Sequence, residues 1–480
     1  MMDKFPARFV ERLEALLPEA EVSEFLKYCT APLPKVVRLK NQTLLEKPGW
    51  TLSPTAVTEG FFIERDDQAE LPLGKTLEHF TGQIYSQSLS SMLPVVVLDA
   101  QVDDTVLDLC AAPGSKTSFL AQRMGNTGLI VANEPSGSRA KKLAANIDRT
   151  ASFNTVMIQS DGTILNSFIG QEFDRILLDA PCSSEGYGRR DNTFFTKMWS
   201  EPKIFMAAKL QKRLIESAWE MLMPGGIMVY STCTSAPEEN ECVVQHLLDT
   251  YPETVEILPT GLEDVPHAKS LKSWEDQAFD KDITAHAQRF YPHLSSDTWN
   301  SESFFVCKLR KTTSVKRIPA KKPSQITQVK IFKKNQNAET VVNLAKKFGL
   351  DENWPQRLMN GKPQFYIKQH DLYLTTSDAT HFMQHNLFRR VGLKVSDKDD
   401  NLTTEFAMQI GVHATKNVAE LDEDQTERWL KGFDIPLKTN RLKNLKNGSA
   451  VLVRKGTFGL GWGKVINGKI KNKLDRDLVF

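Results

Sequence analysis

The chain has 480 residues, 40% hydrophobic and 25% charged, an ordinary globular balance with room for about two to four domains. No apolar run approaches the ~18 residues that cross a bilayer, and six scattered cysteines with no CxxC pair exclude a disulfide framework and a paired-thiolate zinc site. The net charge of +2 hides an asymmetry: residues 311–480 hold 31 Lys and Arg against 17 Asp and Glu, net +14, and residues 1–310 hold 30 against 42, net −12. Such a split reads either as a polyanion-binding tail on an acidic body or as a lysine-rich solvated surface.

Residues 1–20 mix acidic with apolar positions, which predicts an amphipathic helix and not a signal peptide; a soluble cytoplasmic protein is expected. Pro32 to Lys40 reads as a basic strand. From about residue 104, short apolar runs alternate with amphipathic helical stretches. The runs are Thr105 to Leu109, Leu129 to Asn133, Thr155 to Gln159, Arg175 to Asp179 and Gly226 to Tyr230. Their spacing predicts an α/β fold with a parallel sheet and right-handed crossovers, and their unbroken apolar character predicts burial on both faces. Ser303 to Arg310 is a candidate late edge strand. Residues 311–325, basic with Pro and Ser and no apolar period, read as a linker. The expected domains are a 1–80 extension, an 81–310 α/β domain, the 311–325 linker, a small 326–382 module and a 383–480 domain whose glycine-broken strands suggest a small β-barrel.

The first strand runs into Cys110-Ala111-Ala112-Pro113-Gly114-Ser115-Lys116 and then a helix. Small residues after a parallel strand let a ligand approach the backbone and the helix N-terminal amides. Neither GxxxxGK[ST] nor a full GxGxxG is present, so a nucleoside with a small polar tail fits better than a phosphate cradle. Glu134 ends the second strand, placed for ribose hydroxyls, and Asp161 ends the third, placed for an adenine amino group. Each acid alone would be a solvated loop carboxylate. Asp179 and Cys182 follow the fourth strand, and Cys233 follows the fifth. Two cysteines at the same end of neighbouring strands are hard to explain as packing. Cys29, Cys242 and Cys307 read as small buried apolar residues, and Cys110 also reads as packing.

CAAPGSKT, DAPCSSEG and PGGIMVYSTCTSAPEENE, with the lead-in GQIYSQSLSSMLP, resemble the RNA 5-methylcytosine methyltransferase family over roughly residues 80–310. The resemblance implies a Rossmann-like class I methyltransferase sheet, S-adenosylmethionine as cofactor, no metal, and a cytosine of 16S rRNA, within the 30S subunit, as substrate of a monomeric enzyme. It implies that Cys110, Ala111, Ala112, Pro113, Gly114, Ser115, Lys116, Glu134, Asp161 and Asp179 hold the cofactor. It further implies Cys233 as nucleophile, Cys182 as the product-release thiol, Asp179 at N3 of the base and Lys116 beside both ligands. The final region resembles a PUA-type RNA-binding domain, and the part before it a ferredoxin-like module.

The chemistry is consistent with these residue types. Carbon 5 of cytosine is a poor nucleophile until a thiolate adds to carbon 6, and loss of the carbon-5 proton and the thiolate then restores aromaticity. The target base must be single-stranded or flipped out. Phe173, Tyr187, Phe194, Phe195 and Trp199 are candidates for base stacking or for core; Arg189 and Arg190 are candidates for phosphate contacts from an exposed loop. Three alternatives stay open: a tRNA substrate, a non-catalytic RNA-binding assembly factor on the same fold, and a DNA-enzyme-like arrangement with Cys182 as nucleophile.

Overall fold

The computed structural model describes residues 4–40, 47–66, 71–191, 193–315, 330–331, 338–385, 388–397, 399, 401–437 and 445–480. Most of the expected linker therefore lies outside the described residues. At its centre is a sheet of ten strands: β1 (Thr105–Asp108), β2 (Leu129–Asn133), β3 (Thr155–Ile158), β4 (Phe173–Asp179), β5 (Leu222–Thr232), β6 (Val255–Leu258), β7 (Ala268–Lys269), β8 (Gln288–Phe290), β9 (Phe304–Lys311) and β10 (Phe388–Val391). Their order is β7-β8-β9-β5-β4-β1-β2-β3-β10, with β6 also on β9. The five strands read from the apolar runs are mutually parallel, whereas β9 and β10 run antiparallel beside β5 and β3. The chain leaves β1 towards β2 and β3 on one side and returns to β4 and β5 on the other. The reversal opens a crevice at the C-terminal ends of β1 and β4.

Alternate residues of each strand face two separate cores. Leu107, Val131, Ile176, Leu178, Met228 and Tyr230 point to one; Val106, Ile130, Leu177, Ile227 and Val229 point to the other. Burial on both faces explains why these strands carry no polar alternation. Among the described residues ten helices have eight residues or more, and seven of them matter for the site. They are α1 (Ala7–Leu16), α2 (Glu19–Tyr28), α3 (Leu89–Leu98), α4 (Ser115–Arg123), α5 (Gly137–Thr150), α6 (Glu201–Met221) and α7 (Glu241–Thr250). No helix among the described residues is long and apolar enough to cross a membrane.

The N-terminal extension is the pair α1 and α2 followed by a four-stranded antiparallel sheet of Trp50–Pro54, Gly60–Arg65, Val36–Leu39 and Ile84–Ser86. The expected strand within Pro32 to Lys40 is there, but its arginine is not a surface charge. Arg38 is buried and donates to Gln87, Ser118, Gln122 and the Ser115 carbonyl, tying the extension to α4.

After Lys311 two smaller sheets follow. One has four strands, Lys330–Ile331, Pro363–Lys368, Asp371–Thr376 and Leu393–Ser396; the other has five, Val418–Glu420, Ala450–Lys455, Phe458–Ile466, Lys469–Asn472 and Ile435–Pro436. Leu393–Ser396 pairs with Asp371–Thr376, so the four-stranded sheet extends across the boundary expected near residue 382. The module is also joined to the central sheet: β10 pairs with β3, and Tyr366, Phe382, Phe388 and Val391 enter the same core as Val156 and Ile158.

Candidate active site

The loop from β1 to α4 carries Cys110 to Gly114. It is held by a bond from the Ala111 amide to the Asn133 carbonyl and from the Gly114 amide to the Ala111 carbonyl. Gly114 sits at φ +105°, and a Cβ there would lie 3.0 Å from Leu143 of α5, so only glycine fits the turn. It is the N-cap of α4 and has no side chain to cap the helix, which leaves the first-turn amides of Ser115, Lys116 and Thr117 without a side-chain partner. Those amides suit a carboxylate or another small anionic tail. Asn133 joins the strand ends, donating to the Leu109 carbonyl and accepting from the Ser160 amide. Glu134 is buried just past β2, where one oxygen accepts from the Ser136 amide at 2.9 Å and the other lies 3.5 Å from Arg139. Asp161, exposed after β3, caps Gly162–Ser167 through the Thr163 amide at 2.9 Å. An uncapped helix, a buried acid after β2 and an exposed acid after β3 form a donor and acceptor set that fits an amino-acid tail, ribose hydroxyls and an adenine amine respectively.

Lys116 crosses from α4 to β4. Its ammonium lies 2.8 Å from Asp179 and donates to Ser91 of α3 at 3.0 Å. Asp179 also accepts from Ser231 of β5 at 2.8 Å. Burial disfavours the Lys116 ammonium, but attraction to Asp179 and Asp108 and the nearby Cys233 more than offsets it, and its pKa lies above the usual range. Beneath this pair, burial pushes the Asp108 carboxyl up to about 7, against the lowering effect of its bond from Thr117.

The two thiols sit together. Cys182 and Cys233 have their sulfurs 3.0 Å apart, unbonded and half-buried. Cys182 has its pKa raised well above the ordinary thiol range by its hydrogen bond to Cys233, by burial, and by the charges of Cys233 and Glu239. The other four cysteines lie elsewhere: Cys29, Cys242 and Cys307 are buried, and Cys110 is half-buried in the β1–α4 loop.

Around the sulfurs stands a frame of buried polar residues that strand and loop patterns do not single out. Glu185 accepts from the Thr234 and Ser235 hydroxyls, the Ser235 amide and the Trp199 indole, and the Gly186 amide donates to the Cys233 carbonyl. Asn240 donates to the Thr234 carbonyl. Glu239, fully buried, accepts from the Ser183 amide and from Gln211 of α6, each at 2.9 Å. The one signal in the sequence is the density of acids in Glu185 and in Pro237 to Glu241, too many for a segment so close to a buried strand.

Several expected contacts fall elsewhere. Arg189 is only 6% exposed and is not a phosphate contact: it donates to the Ala31, Pro32 and Ser301 carbonyls and to Asn300. The glycine before it signals close packing, since a Cβ on Gly188 would strike Phe195, and not an exposed turn. Arg190 is exposed and pairs with Glu302 at 3.2 Å. Of the aromatics, Phe173, Phe194 and Phe195 are core, Trp199 is held by Glu185, and Tyr187 is 43% exposed.

Residues 95–310 match the family described as 16S rRNA methyltransferase RsmB/F, and residues 416–480 match the methyltransferase RsmF PUA domain. The chain is 34% identical to the ribosomal RNA small subunit methyltransferase F of Vibrio vulnificus (strain YJ016), covering 99% of this chain and 97% of that one. It is 35% identical to the protein of the same name from Escherichia fergusonii, covering 99% and 96%. Among solved structures, a methyltransferase homolog protein from Pyrococcus horikoshii superposes with a TM-score of 0.55 at 32% identity, over 65% of this chain and 98% of that one.

Proposed function

The chain belongs to the 16S rRNA methyltransferase RsmB/F family, and on that premise we propose that it methylates carbon 5 of a cytosine in 16S rRNA, with Cys233 as the covalent nucleophile. The observation that carries this reading is the pair of adjacent thiols at the ends of β4 and β5, beside a lysine–carboxylate pair. The residues from Cys110 to Lys116, with Glu134, Asp161 and Asp179, would hold S-adenosylmethionine, which would supply an electrophilic methyl group.

The protein's own residues do the rest. Cys233 adds as thiolate to carbon 6, with the Lys116 ammonium nearby to favour the charged sulfur. Asp179, oriented by Lys116 and Ser231, is placed to hold a proton at N3 as charge builds on the ring. Cys182 then removes the carbon-5 proton, and Cys233 leaves. The Glu185 frame fixes the Cys233 loop so that the nucleophile needs little reorganisation.

RNA binding is assigned to the C-terminal domain. Lys464, Lys469 and Lys471 lie on one face of the hairpin of Phe458–Ile466 and Lys469–Asn472, where Lys464 is opposite Lys471. Half-buried or exposed lysines gathered in this way release counterions on binding a polyanion.

The test is adduct formation with 16S rRNA on denaturing gels. Cys233→Ala is expected to abolish both methylation and adducts, and Cys182→Ala to accumulate a protein–RNA adduct. Adducts that persist in Cys233→Ala and vanish in Cys182→Ala would reverse the two roles.

A further inference from the structure

Each cysteine of the pair has its own electrostatic surroundings. On the side of Cys182, Gln211 donates to the Pro181 carbonyl and to Glu239, each at 2.9 Å, and Glu239 accepts from the Ser183 amide at 2.9 Å. These bonds clasp the peptide groups on either side of Cys182. They also fix a carboxyl behind its sulfur, and the second oxygen of that carboxyl is buried without a partner. Burial pushes Glu239 up to about 7, so near neutral pH it is partly charged. On the side of Cys233 lies the Lys116 ammonium, paired with Asp179. The remaining groups around Cys182 are Ser184, 3.8 Å from its sulfur, the buried Tyr230 of β5, and Glu185 beyond Glu239.

We propose that Glu239, with Gln211, is a positioning residue that keeps Cys182 a protonated thiol until Cys233 has been consumed in the adduct, so that negative charge passes between the two sulfurs in a fixed order. While Cys233 is a thiolate, its charge 3.0 Å away and Glu239 behind both oppose ionisation of Cys182. Cys182 then donates to its neighbour and does not compete as a nucleophile. Once Cys233 is bonded to carbon 6, its charge is gone, and Cys182 loses its proton to water at the half-buried sulfur. The Cys182 thiolate takes the carbon-5 proton, the C–H electron pair forms the C5–C6 double bond, and the C6–S bond breaks with its pair going to Cys233. The proton that N3 takes up from water beside the Asp179 carboxylate as charge builds is given back to water when the ring becomes aromatic again. Cys182 ends as thiol and Cys233 as thiolate, the starting state. This inference rests on the two-thiol reading above.

The test needs no RNA, so its outcome is separable from that of the adduct experiment. Full-length protein is pulse-labelled with iodoacetamide from pH 6 to 10, and each cysteine is followed by peptide mass spectrometry. Cys233 is expected to label at lower pH than Cys182. In Cys233→Ala, and in Glu239→Gln, labelling of Cys182 at pH 8 should rise about tenfold, the effect of a shift of roughly one pH unit. Glu239→Asp, which keeps the charge, should stay close to the parent protein. The reverse order in the parent protein, or an unmoved Cys182 in either folded variant, overturns the proposal. If Glu239→Gln does not fold, the parent protein and Cys233→Ala decide.

Discussion

In the proposed mechanism Lys116 is where cofactor loop, base-binding acid and nucleophile would meet, and its removal should then be felt in the chemistry more than in binding. Lys116→Met leaves Asp179 with Ser231 alone and takes the positive charge from beside Cys233. Loss of one preorganised charged donor costs ~100-fold or more in kcat. Single-turnover methylation should show that loss with the KM for rRNA nearly unchanged. Asp108 has a different signature, in stability. Its folded pKa of about 7 lies above the ordinary carboxyl value of ~3.9, so the folded state keeps this proton longer than the unfolded one. The protein is then most stable with respect to this group below about pH 4 and loses stability as pH rises towards 7. Asp108→Asn should flatten part of that slope in a plot of Tm against pH; Glu239, also raised to about 7, supplies another part. At this scale the strand ends pointed to Asp179, Cys182 and Cys233 and the family resemblance added Lys116, and the fold brings the four side chains together. The sequence hid Glu185, Glu239 and Gln211, whose importance comes from what they bond across the chain: Gln211 reaches Pro181 from the middle of an ordinary amphipathic helix.

Helix α7 is anchored at its first residue. Glu241 is fully buried with Arg289 of β8, which donates to both its oxygens, and Ser270 and the Leu271 amide add two more bonds. Burial by itself would raise the Glu241 pKa, but the arginine's charge and hydrogen bonds more than offset it, and the net shift is downward. A depressed carboxylate contributes stability that is present above its unfolded pKa of ~4.3 and is lost as pH falls through the folded value. Arg289→Met should therefore destabilise by ~3–5 kcal/mol near neutral pH, measured by urea unfolding, with a smaller loss under acid conditions where Glu241 can take a proton. The five parallel strands were legible from their apolar runs. Strand β10 was not: its FRRV segment lies far along the chain, and only a sheet edge left open by β3 gives it a partner. Arg390 in it pairs with Asp148 of α5, so one residue of an apparently basic tail is a joint between domains.

For the whole molecule, this joint makes the C-terminal third part of the fold of the catalytic sheet. Deleting residues 312–480 would strip β10 from β3 and open the core that Tyr366, Phe382 and Val391 close. The truncated chain should show a lowered Tm or aggregate, and not behave as a free catalytic domain. The charge asymmetry in the sequence is partly consumed within the fold. Arg357, Lys394, Lys431, Arg454 and Lys455 are spent on acids of their own region, whereas Lys464, Lys469 and Lys471 share one face of a hairpin. Replacing those three lysines with alanine should weaken rRNA binding and reduce the slope of log affinity against log salt by about 2, with the activity of bound complexes preserved. The most direct measurement of the central claim is bisulfite sequencing of 16S rRNA from cells carrying the intact gene, a deletion, or Cys233→Ala. One protected cytosine, present with the intact gene and lost in both others, is the expected result. A protected cytosine lost only from tRNA, or an unchanged pattern in every RNA, would contradict it.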